Sequence, residues 1–221
     1  MFNLKRIPKH IGIIPDGNRR WAVAKGLPKE EGYDYGIEPG KKLFEEGFKL
    51  GIQEVSTYIF TQENTHRSKE QIDAYQKAFL KFIDWIKEKK VSILVIGDTE
   101  SRFFSEKLRR YSIPEKDRGE RMRLNFLVNY SWKWDLNMIL ENCQNERINR
   151  RDILRYIGSK DVSRIDLIIR WGKRRRLSGF LPIQSAYADI YVVDKLWPDF
   201  EVGQFHEALK WYEKQDITLG G

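Results

Sequence analysis

The 221-residue sequence has one cysteine, three histidines and no apolar run approaching the roughly 20 residues needed to cross a bilayer. Each scarcity excludes something. A lone cysteine, Cys143, cannot close an intramolecular disulfide; it fits a reducing compartment and reads as a small core residue. With no membrane span, and no signal segment between Met1 and Lys9, the expected compartment is the cytoplasm, with peripheral contact at a membrane surface left open. Internal repeats and low-complexity linkers are absent too.

What is present suffices for one packed domain. Apolar residues at 41% and aromatics at 13% exclude a disordered chain, and dividing residues 1–221 into two units would leave two thin cores. The net charge of +8 allows anionic partners: nucleic acid, acidic lipid or phosphorylated small molecules. Where the charges lie along the chain must decide among them.

Strands are predicted at HIGII, at 54–60, 91–98, 123–130 and 165–170, and at DIYVVD (189–194). A helix stopping at Gly51 precedes the second strand. Tyr75, Phe79, Phe82 and Ile86 recur at helical spacing within a long amphipathic helix near 68–89. Residues 144–164 read as a surface helix and loop. Strands alternating with helices imply an α/β fold with a central, mainly parallel six-stranded sheet flanked by helices. In such sheets ligands bind beyond the carboxyl ends of the strands. Residues 16–20, 61–67, 130–135 and 171–178 all fall there.

Three segments carry the unusual chemistry. In PDGNRRW, Asp16 sits on a turn with Gly17 beside Arg19 and Arg20. The carboxylate suits a hard cation such as Mg2+ and the guanidinium forks suit phosphate oxygens, although an ordinary Asp-Gly turn with solvated arginines explains this motif better when it is read alone. RWGKRRRLSGF (170–180) is the densest basic run. It reads as a nucleic-acid patch, a solvated loop or a phosphate site; its position between an apolar strand and the apolar stretch FLPIQSAYA favours the last. In TQENTHR, Thr61, Glu63 and Asn64 read as a hydrogen-bonding set or a helix cap, and His66 as a loop histidine. Aromatics cluster at Tyr75, Phe79, Phe82 and Trp85 and at Phe126, Tyr130, Trp132 and Trp134. Most read as core, some as lining for an apolar tunnel. A nucleic-acid module is disfavoured, because no stacking pair accompanies a basic groove.

Taken together, HIGIIPDGNRRWA, YIFTQEN with Arg67, IGD (96–98), NYSWKWD, the frame of Arg170, Arg176 and Ser178, and SAYADIY followed by LWPDF resemble the cis-prenyltransferase family, typified by undecaprenyl diphosphate synthase. The resemblance runs from about His10 to the C-terminus. It implies the cis-prenyltransferase fold, Mg2+ as cofactor, and condensation of an allylic diphosphate (dimethylallyl, geranyl or farnesyl) with a second isoprenoid diphosphate. The paired DDxxD-type motifs of the trans synthases do not occur in the sequence.

Residue by residue, the resemblance makes Asp16, Asn18 and Asn64 catalytic candidates and Asp16 and Asp189 the metal ligands, Asp189 replacing the usual glutamate. Gly17, Arg19, Arg20, Trp21, Lys29, Tyr33, Thr61, Glu63 and Arg67 belong to the allylic side. Arg170, Arg176 and Ser178 match the pocket for the second diphosphate. A homodimer is implied as well.

The departures matter. Thr65 replaces a tryptophan, Tyr33 a histidine, Lys29 an arginine, and RWGKR an RTGGE-like stretch. Trp132 stands where small residues are common, and Trp171 to Arg175 make the second substrate an open question. The tail Thr218-Leu219-Gly220-Gly221 lacks the family's arginine, so a catalytic subunit dependent on a partner's tail is an alternative. The Arg19-Arg20-Trp21 run, Thr65 and Phe180-Leu181-Pro182 are similar to members that join two dimethylallyl units head-to-middle. With the bulk of Trp132 and Phe82, they imply a short or irregular product.

Overall fold

The computed structural model describes residues 4–114, 120–143 and 152–216. At its centre is β1 (His10–Ile14), a β-branched run buried along its whole length. It pairs in parallel with β2 (Glu54–Thr61) on one side and β5 (Leu167–Trp171) on the other. With β3 (Val91–Ile96), β4 (Met122–Tyr130) and β6 (Asp189–Val193), they form a six-stranded parallel sheet ordered β3-β4-β2-β1-β5-β6.

Both sheet faces are covered. On one, α3 (Ile37–Leu50), α4 (Lys69–Ile86) and α6 (Val202–Glu213) bury Phe44, Phe79, Phe82 and Phe205 against Ile11, Ile13 and Val55. On the other, Ile14, Tyr58, Leu127, Ile168 and Phe180 pack together. Gly12 is required on that face: a Cβ there would lie 2.6 Å from the Phe180 ring. Gly51 ends α3 in the left-handed conformation, φ 81°. The long helix stops at Ile86, where its apolar stripe ends, and three further helices are short: α1 (Asn18–Ala24), α2 (Gly32–Tyr35) and α5 (Trp132–Asn142).

Some expectations need correction. Cys143 is not in the core; it is half-buried at the end of α5, which projects outward, leaving Leu140 exposed. The segment 144–164 is not all surface: Ile157, Ser159 and Val162 are buried, Ile153–Arg155 forms one 3-10 turn, and residues 144–151 lie outside the described residues. The C-terminal tail at Thr218 also lies outside them.

The amino ends of the strands are pinned by polar groups. His10 Nε2 lies 2.9 Å from Ser56 Oγ, and Asn125 Nδ2 donates to Glu54 Oε1 (2.7 Å) and to Ser56 Oγ (3.0 Å). Ser163 Oγ donates to Glu54 Oε2 at 2.6 Å and lies 3.0 Å from His10 Nδ1, while Asp166 Oδ2 accepts from the amides of Lys9 and His10. A second buried cluster secures the loop after α5: Asp135 accepts from Tyr130 Oη, Ser159 N and Ser159 Oγ, each at 2.7 Å.

Burial holds the His10 imidazole below the ordinary histidine pKa, outweighing the opposing pull of Glu54 and, more weakly, Asp166. Between that lowered value and about pH 6.5 the unfolded chain binds a proton that the folded chain does not. His10 therefore contributes its full stability above that range and loses it as pH falls through it, with a slope of up to about 1.4 kcal/mol per pH unit. Urea unfolding at pH 7.5 and 5.5 should show a loss of stability that is smaller in His10→Gln. An equal loss in both proteins would place the titrating group elsewhere.

Candidate active site

Beyond Ile14 the chain turns at once. Asp16 N donates to Ile14 O, and Gly17 takes φ 120° with its α-carbon against Leu196, so that a Cβ would sit 2.8 Å from Leu196 Cδ2. The turn presents the Asp16 carboxylate between two guanidiniums. Arg20 Nη2 lies 3.2 Å from Oδ1, and Arg170 Nη2 donates to Oδ2 at 3.0 Å. The two arginines differ in freedom: Arg170 is 4% exposed, whereas Arg20 is exposed and also donates to Gly172 O at 3.0 Å.

Arg170 is positioned by the loop after its own strand. Its Nη1 donates to Ser178 Oγ at 3.0 Å and to Arg176 O. That loop curls back through positive φ at Gly172, Lys173, Ser178, Gly179 and Leu181, three of them non-glycine. Left-handed backbone at a non-glycine residue costs on the order of 1 kcal/mol, so surrounding contacts must hold this shape. Trp171, adjacent to Arg170, points to the opposite face. It is fully buried against Trp197 and Phe200 and donates from Nε1 to Gln204 Oε1 at 2.9 Å. The alternation of the strand thus takes Trp171 out of the question of the second substrate.

After β2, Thr61 and Asn64 form a reciprocal cap on a 3-10 turn, Gln62–His66, that brings Arg67 inward. Arg67 Nη1 donates to Tyr33 Oη at 2.8 Å. Burial lowers its pKa from the usual arginine value, and it stays a cation at neutral pH. His66 is exposed on this turn.

These strand ends surround a cavity of about 1040 Å³ with two unlike parts. The mouth carries Asp16, Arg19, Arg20, Lys29, Arg67, Arg170, Arg174, Arg176 and Ser178. The inner arm runs between α3 and α4 and is walled by Ile37, Leu43, Phe44, Phe79, Phe82 and Phe126. At its far end the Phe82 ring packs 5.4 Å from Phe44 and 5.9 Å from Phe126, over the bare α-carbon of Gly40. A highly charged mouth on an apolar arm suits an amphiphile with an anionic head.

Of the candidates read from the sequence, Asp16, Gly17, Asn18, Arg19, Arg20, Lys29, Tyr33, Thr61, Glu63, Asn64, Arg67, Arg170, Arg176 and Ser178 all line this cavity. Asn18 Oδ1 is buried against Gly36 without a hydrogen-bond partner, and its Nδ2 donates to Pro15 O at 3.4 Å. Two candidates do not reach it. Trp21 turns away, donating from Nε1 to Asp199 Oδ1 at 2.7 Å and packing on Tyr35. Asp189 opens β6 opposite Leu167, whereas Arg170 and Asp16 lie at the other ends of the strands. Along a parallel strand that is a separation on the order of 10 Å or more, so within this chain Asp189 cannot share an ion with Asp16. Its carboxyl is raised above the usual range by burial, opposed by Arg6.

Arg174, from the basic run read as a phosphate site, lines the cavity too; sequence reasoning missed the α3 wall, Ile37, Gly40 and Phe44. The available signal was the four-residue spacing of Gly40 and Phe44 on one helical face. Among the described residues no three His, Cys, Asp or Glu side chains converge as a metal cage. Asp16 offers a single carboxylate, which is the protein share expected for Mg2+ held mainly by substrate phosphates.

Comparison with known proteins matches residues 14–220 to the prenyltransferase family model, described as undecaprenyl diphosphate synthase. A ditrans,polycis-undecaprenyl-diphosphate synthase of Pectobacterium atrosepticum, named as (2E,6E)-farnesyl-diphosphate specific, is 32% identical over 97% of this chain and 90% of its own. An isoprenyl transferase of Leptospira interrogans is 29% identical over 97% of this chain and 95% of its own. Among solved structures, lavandulyl diphosphate synthase from Lavandula x intermedia, in complex with dimethylallyl diphosphate, aligns with a TM-score of 0.83 over 97% of this chain and 99% of that one. At 22% identity it shows that the fold is shared.

Inorganic diphosphate should bind the free protein at this mouth. Arg67→Ala should weaken that binding by about tenfold or more, the value of a lost charge-assisted hydrogen bond, without unfolding the chain. Isothermal calorimetry checks this; unchanged affinity would move the anion site away from the β2 loop.

Proposed function

The chain belongs to the undecaprenyl diphosphate synthase-type prenyltransferase family, and from that premise we propose that it condenses an allylic diphosphate with a second isoprenoid diphosphate, isopentenyl or dimethylallyl, with Mg2+ as cofactor. The observation that supports this most directly is the one cavity with two parts: arginines and Asp16 at the mouth, phenylalanines within. A hydrocarbon tail fits the second part and a diphosphate the first.

In this reading the allylic C–O bond breaks and its electron pair leaves with the diphosphate. Arg19, Arg20, Lys29 and Arg67 surround the charge that develops there, which is where transition-state stabilisation has most effect. The alkene of the second substrate, held through its diphosphate by Arg170, Arg176 and Ser178, forms the new C–C bond. A proton is then lost from the resulting cation, and the released diphosphate is an available acceptor for it. Asn18, which lines the cavity beside Asp16, is the residue assigned in this reading to orient that transfer. The apolar arm keeps water from the cation.

Asp16 is the residue to hold Mg2+, which when bound neutralises charge on the leaving diphosphate. In the free protein both Asp16 oxygens face arginines, and the exposed Arg20 is the one free to turn toward an incoming diphosphate.

A second reading concerns the product. Phe44, Phe82 and Phe126 close the arm, which supports a short or irregular, head-to-middle product over a long polyprenyl chain. Purified protein should be incubated with dimethylallyl diphosphate alone, and with isopentenyl plus geranyl or farnesyl diphosphate, and its products weighed. Products of a few isoprene units are expected; long polyprenyl diphosphates would exclude the short-product reading. Asp16→Asn, which leaves an oxygen to accept from Arg170, should keep the fold, read by circular dichroism, and lose about a hundredfold or more of turnover. Normal turnover in that variant would remove the basis of the site.

A further inference from the structure

Trp132 is 41% exposed although it lines the cavity. Its place is fixed by the start of α5. Ser131 caps that helix, its Oγ accepting from Trp134 N at 3.1 Å and donating to Gln62 Oε1 at 2.6 Å. On its other side the indole meets the β5 loop: a Cβ at Gly179 would lie 2.9 Å from Trp132 Cδ1, and Gly179 has φ 76°. The indole therefore fills the space that glycine leaves, directly beside Ser178, whose hydroxyl is 3.0 Å from Arg170 Nη1.

A large aromatic ring held rigidly with part of its surface in water, next to an anion cradle, lacks an apolar partner. The inner arm already supplies hydrocarbon contacts for the allylic substrate, at some remove from this loop. We propose that Trp132 is the apolar wall for the hydrocarbon of the second isoprenoid diphosphate, whose head sits on Arg170, Arg176 and Ser178. This rests on reading those three residues as the second diphosphate cradle. Binding covers the indole and shields the reacting alkene from solvent, so Trp132 is a specificity residue for the second substrate and not for the first.

The test uses the full chain holding an unreactive allylic analogue, dimethylallyl S-thiolodiphosphate, into which isopentenyl diphosphate is titrated by calorimetry. Trp132→Ala should weaken isopentenyl diphosphate about tenfold, as expected for loss of a buried aromatic face, while affinity for the allylic analogue changes by less than about twofold. Trp132→Phe should recover most of the loss. Equal weakening of both ligands would mean that Trp132 only holds the loop, and would overturn the proposal. Arg176→Ala separates the two levels. If it weakens isopentenyl diphosphate and Trp132→Ala does not, the wall is lost and the cradle stands; if neither does, the cradle reading fails with it.

Discussion

The Asp16–Arg170 pair joins the two halves of the site. Arg170 is a nearly buried cation, and removing such a charge from water is costly unless it is paired; both of its Nη atoms are engaged, while its Nε has no partner. Asp16 supplies an anion from the β1 turn, and Ser178 and the Arg176 carbonyl supply neutral acceptors from the β5 loop. One guanidinium thus gathers two strand ends and the β5–β6 connection around itself. Ser178, left-handed in that connection, is held against its own preference by this demand. The site is organised by an unscreened charge before any substrate arrives.

Much of this was legible because parallel strands declare themselves as apolar runs and because the first polar residues after each run must converge on one edge. PDGNRR, TQENTHR and the 170–178 segment were found by that rule. The errors came from reading motif membership without strand direction. Asp189 belongs to a family motif, but it begins its strand, and in a parallel sheet a strand's first residue lies on the edge away from the site. Trp171 follows Arg170 by one position, so alternation alone sends it to the opposite face. Both facts were available in the sequence and were outweighed by resemblance. The positive φ at Lys173, Ser178 and Leu181 was not available, because no local signal marks a non-glycine residue held there by tertiary contact.

The sheet separates two kinds of polarity. At its amino edge His10, Ser56, Glu54, Asn125 and Ser163 bond one another within the interior, a network that leaves only Asn125 Oδ1 among them without a partner and stabilises registration of β1, β2 and β4. At its carboxyl edge the polar groups are left with open valence toward a cavity. Chemistry of similar residue types is structural at one end and functional at the other, and the difference lies in whether the partners are all internal.

Phe44, Phe79, Phe82 and Phe126 belong at once to the hydrophobic core and to the wall of the cavity. The interior of the free protein is therefore unfinished, and in the proposed reading a prenyl chain completes it. Each methylene that enters contributes the same dispersion and desolvation that hold the fold, so occupancy and thermal endurance are linked quantities. The same linkage opposes departure: the better a finished chain packs those rings, the slower it escapes. In the proposed reading, growth of the product and its retention draw on one set of contacts, so the core itself opposes release.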